Sequence, residues 1–336
     1  MAGNPRYSKF FQTPRSEAES EEELRAYNLH KELISSLPCK GHTYCYGGFW
    51  CPEWRIVGLL SAQKHFKASP GDIFLCTYPK SGTTWIRALA FSVINRGAIS
   101  DYKDHPLLTM SPQDQDCALY LEGIFAGAQV PDLSVLTGSP RLFASHIPYS
   151  LLPDSVKNGC RIVYVSRDPK DTLISLWHYS NLVRGPTIPF FRLDDLFEEF
   201  CRGGSYFGPI WDHQVEYQKE SLNRPDMVLF MKYEEMKAKP EESVRKLASF
   251  VGQPFTKEEE EGGTVEKIVR LCSFEFLKDL PVNKEGIQEE TGDRIVKNSS
   301  FFRKGRVGDW KELLTPDMAD RIDHITQQKL SQHGLI

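Results

Sequence analysis

The sequence predicts a single α/β domain, a central parallel sheet flanked by helices, with a P-loop-like turn after the first strand. Three observations predict it. Four short runs, DIFLCTY (72–78), RLFASH (141–146), RIVYVSR (161–167) and MVLFMKY (227–233), are apolar on both faces, as strands buried in a parallel sheet are. Helix-period patterns alternate with them at TTWIRALAFSVINR, KDTLISLWHYSNLV, FGPIWDHQVEYQKESL, PEESVRKLASFVG and PDMADRIDHITQQKL. TYPKSGTTW (77–85) joins the first strand to the first helix, where gathered backbone N–H groups form an anion site.

Residues 1–40 read as a flexible acidic arm in which SEAESEEEL opens a short helix, with Ser20 and Glu23 spaced for a capping box. The domain proper is then 41–336. GHTYCYGGFWCPEW (41–54) reads as an ordered loop with large side chains to bury. In PEESVRKLASFVG, proline in the first turn, acids next and Gly252 at the end are the punctuation of a helix. LPVNKEGIQEETGDRIVKNSSFFRKGRVG (280–308) has little periodicity and is long for a connection, so it reads as a lid. Neither a repeat nor a linker divides the chain.

Composition narrows the function classes. A chain of 336 residues, 40% hydrophobic and 26% charged, buries a core without metals or disulfides, and a net charge of −4 gives no cause to expect a nucleic-acid or membrane partner. The apolar runs fall well short of the ~20 residues of a membrane helix. The N-terminal stretch has no hydrophobic core of a signal peptide, so a cytoplasmic location is expected. Among eight cysteines, Cys39, Cys45 and Cys51, with His42 between them, match no common zinc spacing, and no metal is assigned.

A P-loop reads GxxxxGK[ST], whereas here Lys80 precedes Gly82 by two residues. The mechanics survive the change of order. Backbone N–H groups of 81–85 converge at a helix start, Thr83 and Thr84 add hydroxyls, and Lys80 adds a mobile charge. No later strand ends in an Asp suited to hold magnesium, which argues against metal-dependent phosphoryl transfer. Two more anion-binding groups follow: Arg167 at a strand end with Ser175 about one turn into the next helix, and Arg303, Lys304 and Gly305 in the lid. Each also has an ordinary reading, with Arg167 paired to Asp168 or Asp171, Ser175 packing, and residues 303–304 as solvated charge.

Together these residues resemble the cytosolic sulfotransferase family, above all its plant-type members, over nearly all of the chain from about residue 45. YPKSGTTW (78–85) resembles the family's 5′-phosphosulfate loop, SRDPKDTLIS (166–175) its 3′-phosphate segment, and RKGRVGDWK (303–311) its C-terminal signature. HIPYSLLPDSVKN (146–158) and the stretch GPIWDHQVEYQKESLNRPDMVLFMKYEEM are also similar to plant-type members. The resemblance implies an enzyme whose sulfuryl donor is 3′-phosphoadenosine 5′-phosphosulfate, with no metal required. It implies that Lys80, Ser81, Gly82, Thr83, Thr84 and Trp85 hold the phosphosulfate and adenine, that Arg167, Ser175, Arg303, Lys304 and Gly305 hold the 3′-phosphate, and that Tyr233 lies near the adenosine. His146 falls at the family's catalytic histidine.

The chain departs from the family pattern in three places. A lysine that many animal members carry is Ala144 here, which puts more transition-state charge on Lys80. Cys272 stands where many animal members have Thr. In KELLTPDMAD, Pro316 and Asp320 break the family's dimer motif, so a monomer or weak homodimer is expected.

The expected chemistry is in-line sulfuryl transfer to a hydroxyl of a small, largely apolar acceptor. A neutral histidine takes the acceptor proton and Lys80 stabilises the departing phosphate. Aromatics near the motifs, Phe49, Trp50, Trp177 and Tyr179, are candidate walls for the acceptor, with Tyr179 foremost because it lies one helical turn after Ser175. A P-loop-type nucleotide kinase and a non-catalytic adenosine-bisphosphate-binding module remain open beside it.

Overall fold

The computed structural model describes residues 5–12, 14–99, 101–136, 138, 140–291 and 294–335. Five parallel strands form the central sheet: β1 (Ile73–Thr77), β2 (Leu119–Tyr120), β3 (Leu142–Ser145), β4 (Arg161–Ser166) and β5 (Val228–Lys232), in the order β2-β3-β1-β4-β5. All four predicted strands are present, trimmed by a residue or two. The edge strand β2 was not predicted; two residues are too few to show a period. Side chains alternate between two apolar layers. Phe74, Cys76, Phe143, Ile162, Tyr164 and Val228 pack into one, and Ile73, Leu75, Ala144, Val163, Val165, Leu229 and Met231 into the other. Both faces are therefore covered, as the unbroken apolar runs required.

The main helices are α1 (Glu17–Ser35), α2 (Glu53–His65), α3 (Thr83–Asn95), α4 (Pro169–Val183), α5 (Ile210–Asn223), α6 (Pro240–Phe250) and α7 (Pro316–Gln332). Helix α2 was missed because Ile56, Val57, Gly58, Leu59, Ser61 and Ala62 are all buried, so its sequence shows no one-sided stripe. The capping box of α1 is made by Ser16 and Glu19, not by Ser20 and Glu23. Ser16 is extended and starts the helix a turn earlier, while Glu23 lies 3.7 Å from Arg15. The segment 1–40, expected as a flexible arm, contributes Phe10 and Ile34 to the core at 1% and 0% exposure.

Residues 41–54 are not a loop. Cys39–Lys40, Thr43–Tyr46 and Phe49–Pro52 pair as a small antiparallel sheet, which docks through hydrogen bonds between Trp50 and the Phe207–Gly208 turn. Within 280–308, a short helix Pro281–Glu285 precedes an antiparallel pair Ile287–Thr291 and Arg294–Lys297; positions 292–293 of that segment lie outside the described residues.

Parallel strands place their carboxyl ends along one edge, and the site gathers there. The turn 78–82 follows β1, His146 follows β3, Arg167 follows β4, and Tyr233 follows β5.

Candidate active site

Between β1 and α3 the backbone makes a tight turn, the candidate anion site. Lys80 has φ 69, a left-handed conformation that costs a non-glycine residue about 1–2 kcal/mol. Gly82 caps α3 at φ 110, where an added Cβ would meet a Tyr233 ring carbon at 2.9 Å, so only glycine lets the backbone close over a ligand there. The hydroxyls of Thr77 and Thr83 are 2.7 Å apart, and Gln113 Nε2 donates to Thr84 Oγ1 at 2.5 Å. Lys80 Nζ lies 3.9 Å from the centre of the Tyr179 ring and 5.4 Å from that of Phe301. Burial, with Arg167 and Arg303 nearby, pushes the Lys80 ammonium down to about 7.

Arg167 ties the three cationic groups together. Its Nη1 donates to the Lys80 carbonyl at 3.2 Å and its Nη2 to the Arg306 carbonyl at 2.9 Å. Nη2 also lies 3.7 Å from the buried Asp171, so the ionic reading and the anion-site reading describe the same residue. Asp171 accepts from the backbone N–H groups of Gly308 (2.8 Å) and Trp310 (3.1 Å), and so fixes the C-terminal loop against α4. Arg303 and Lys304 both pair with Asp309, and Lys304 also with Glu312 at 2.6 Å. Ser175 is buried in the second turn of α4. Trp85 and Tyr233 meet edge to face at 5.6 Å, with the Arg167 guanidinium 4.6 Å from the Tyr233 ring. Cys272, by contrast, turns its Sγ to Ser92 Oγ at 3.3 Å.

Ser81 Oγ, Arg167 Nε and Arg303 Nε are buried and have no hydrogen-bond partner among the described residues. Buried polar atoms are almost always bonded, so three such atoms in the three cationic groups mark a cradle that suits a ligand bearing two anionic groups.

His146 is held from three sides. Its Nδ1 lies 2.8 Å from the Thr77 carbonyl, which can only accept, so Nδ1 carries the proton. Nε2 is then a free lone pair, and Tyr120 donates its O–H to it at 2.7 Å. The His146 backbone N–H donates to Glu122 Oε1 at 3.0 Å, and His213 Nε2 donates to its carbonyl at 2.9 Å. Burial, the Arg55 charge, His213 and Arg87 push the imidazole down to about 3, against the Thr77 hydrogen bond. The ring is neutral at physiological pH. Its distance to Thr77 Oγ1, 3.3 Å, links it through Thr83 to the anion-binding turn.

Sequence reasoning missed Tyr120, Glu122, Arg55, Thr77 and His213. Arg55 reaches Glu122 at 2.9 Å because α2 crosses the Leu121–Ile124 turn at Gly58, where a Cβ would stand 2.0 Å from the Glu122 carbonyl. No local pattern announces such a crossing. Of the expected acceptor walls, Phe49 is buried against His213, Trp177 Nε1 donates to the Phe191 carbonyl, and Tyr179 lies under Lys80.

Burial also pushes two other histidines, His105 and His213, down to about 4. In the unfolded chain each titrates near 6.5, so below that value the unfolded state binds more protons and stability falls. Each is expected to remove about 1.4 kcal/mol per pH unit as pH drops from ~6.5 toward 4. Urea midpoints at pH 7.5 and 5.5 check this; equal midpoints would contradict it.

These features define a class: an α/β protein with a candidate anion cradle beside a buried, neutral histidine. The chain matches the sulfotransferase domain family over residues 70–334 and belongs to that family. It is 44% identical to Arabidopsis thaliana "Cytosolic sulfotransferase 17" over 91% of this chain and 90% of that one. It is 39% identical to the Flaveria chlorifolia "Flavonol 4'-sulfotransferase" over 97% and 99%. An Arabidopsis thaliana sulphotransferase crystal structure superposes with a TM-score of 0.71 at 34% identity, covering 96% of this chain and 98% of that one. Mouse sulfotransferase SULT7A1 complexed with PAP gives 0.64 at 27%, covering 86% and 94%. The protein is thus a sulfotransferase, with 3′-phosphoadenosine 5′-phosphosulfate as its family's donor and small molecules as acceptors. The kinase and non-catalytic readings fall with that membership. Among the described residues no His, Cys, Asp or Glu group could hold a metal, and no helix is long and apolar enough to cross a membrane.

Proposed function

We propose that the protein sulfates a hydroxyl of a small, largely apolar ring compound, a flavonol-like acceptor foremost, with His146 as base and Lys80 as the counter-charge to the leaving phosphate. The observation that carries this reading is the His146 tautomer, whose unprotonated Nε2 faces Tyr120 at the strand edge that also bears the anion-binding turn. The donor, when bound, supplies an activated sulfuryl group on its 5′-phosphate. In this reading Lys80, Ser81, Gly82, Thr83 and Thr84 hold the phosphosulfate. Trp85 and Tyr233 hold the adenosine, and Arg167, Ser175, Arg303, Lys304 and Gly305 the 3′-phosphate.

His146 Nε2 takes the hydroxyl proton as the acceptor displaces the Tyr120 hydroxyl. The burial that keeps the ring neutral makes the imidazolium costly, and the Thr77 carbonyl on Nδ1–H offsets part of that cost. Phe207, 5.4 Å from the His146 ring, and Tyr120 offer apolar surface to a ring-shaped acceptor, while Tyr179 orients Lys80 and borders the same space.

The flavonol preference rests on the Flaveria relative. The relatives named cytosolic support a cytoplasmic location. Pro316, at the first position of α7, and Asp320 break the family's dimer motif and support a monomer or weak homodimer. The test is labelled sulfate transfer from the donor to a panel of flavonols, sterols, hydroxyjasmonate and desulfoglucosinolates, with excess EDTA present. Flavonols with the highest kcat/KM support the proposal; transfer only to the other classes overturns the acceptor assignment.

A further inference from the structure

Arg87, on α3 one turn after Thr83, is fully buried and is the largest side chain so placed. Its Nη2 donates to the carbonyls of Asp114 (2.7 Å) and Ala118 (2.6 Å), its guanidinium carbon lies 5.0 Å from the Tyr120 ring centre, and Nε and Nη1 have no hydrogen-bond partner among the described residues. No ion pair compensates it among the described residues. A buried, unpaired cation is expensive, so its position calls for a purpose beyond packing.

The purpose is legible in what it holds. The two carbonyl bonds brace the 111–120 loop near its middle and near its end. The same loop sends Gln113 to the Thr84 hydroxyl, accepts Gln288 Nε2 on the Gln113 carbonyl at 3.1 Å from the 287–297 hairpin, and ends at Tyr120 on His146 Nε2. A second guanidinium, Arg55, lies 5.3 Å from the Tyr120 ring and is itself fixed by Glu122. Donor turn, hairpin and base therefore all meet on one short loop.

We propose that Arg87 is a positioning residue that holds the 111–120 loop, and with it Tyr120, in register with His146. The proposal rests on the reading of His146 and Tyr120 as the acceptor side of the site. Arg87 touches neither donor nor acceptor; it acts through the loop.

The test compares Arg87→Met and Arg87→Lys in the full chain. Loss of the charged carbonyl bonds in Arg87→Met is expected to raise the acceptor KM about 10- to 100-fold, with the Kd for 3′-phosphoadenosine 5′-phosphate within about twofold of wild type. Arg87→Lys, which keeps the charge and can reach one carbonyl, is expected to recover part of that loss. Acceptor KM unchanged in Arg87→Met overturns the proposal. So does an equal loss of nucleotide affinity, the signature of a collapsed α3. Should Arg87→Met fail to fold, Arg87→Lys decides: a smaller KM rise at unchanged nucleotide Kd supports positioning, and no change overturns it. Turnover of His146→Ala is measured separately, so failure of the base assignment is seen there and not in these constants.

Discussion

Replacing His146 with alanine is expected to lower the sulfate-transfer rate ~10²–10⁴-fold, the range general-base catalysis contributes, while leaving nucleotide binding within about twofold. The asymmetry follows from the geometry. The imidazole is held by Thr77 and Tyr120 and its backbone by Glu122 and His213, whereas the proposed anion-binding atoms are the N–H groups of the turn and the Arg167 and Arg303 guanidiniums. Single-turnover assays and calorimetry with 3′-phosphoadenosine 5′-phosphate separate the two quantities. Unchanged turnover removes His146 from the role of base. Loss of nucleotide affinity in proportion would assign it to holding the turn through Thr77.

Lys80→Met is expected to cost ~10²–10³ in kcat, the penalty for removing a preorganised partner of developing negative charge. It carries a second signature, in protons. Lys80 in the free enzyme titrates at about 7 because it is buried beside Arg167 and Arg303. A bound phosphosulfate favours the ammonium and raises that value, so binding takes up a proton above pH 7 and nucleotide affinity weakens as pH rises, by up to about tenfold per unit. Calorimetry at pH 8 in buffers of different ionisation heat measures this uptake. It is expected near one proton in wild type and near zero in Lys80→Met. No uptake in wild type would mean that Lys80 does not face the donor.

Much of the site was legible because its chemistry is local in sequence. Lys80 to Trp85 lie on one strand-to-helix turn, Arg167 and Ser175 on another, and 303–305 on one loop. Whether they converge was a separate matter, decided by strand order: β4 lies beside β1, which brings the Arg167 Nη1 to the Lys80 carbonyl, and Asp171 reaches across to the 308–310 backbone. The side chains around His146 were illegible for the opposite reason. Tyr120 sits on a two-residue strand and Arg55 on a helix whose middle, Ile56 to Leu59, is buried residue after residue, so neither belongs to a periodic pattern.

By itself the amino-acid order determined the four long strands, the presence of six of the seven main helices and the candidate anion-binding residues. Alternating apolar runs and helix punctuation are properties of neighbouring residues and survive in any context. Only the folded molecule decided the tautomer of His146, the depressed proton affinity of Lys80 and the partners of Arg55 and Arg87. Those depend on desolvation and on charges brought in from distant segments, and such quantities exist only once the layers have packed.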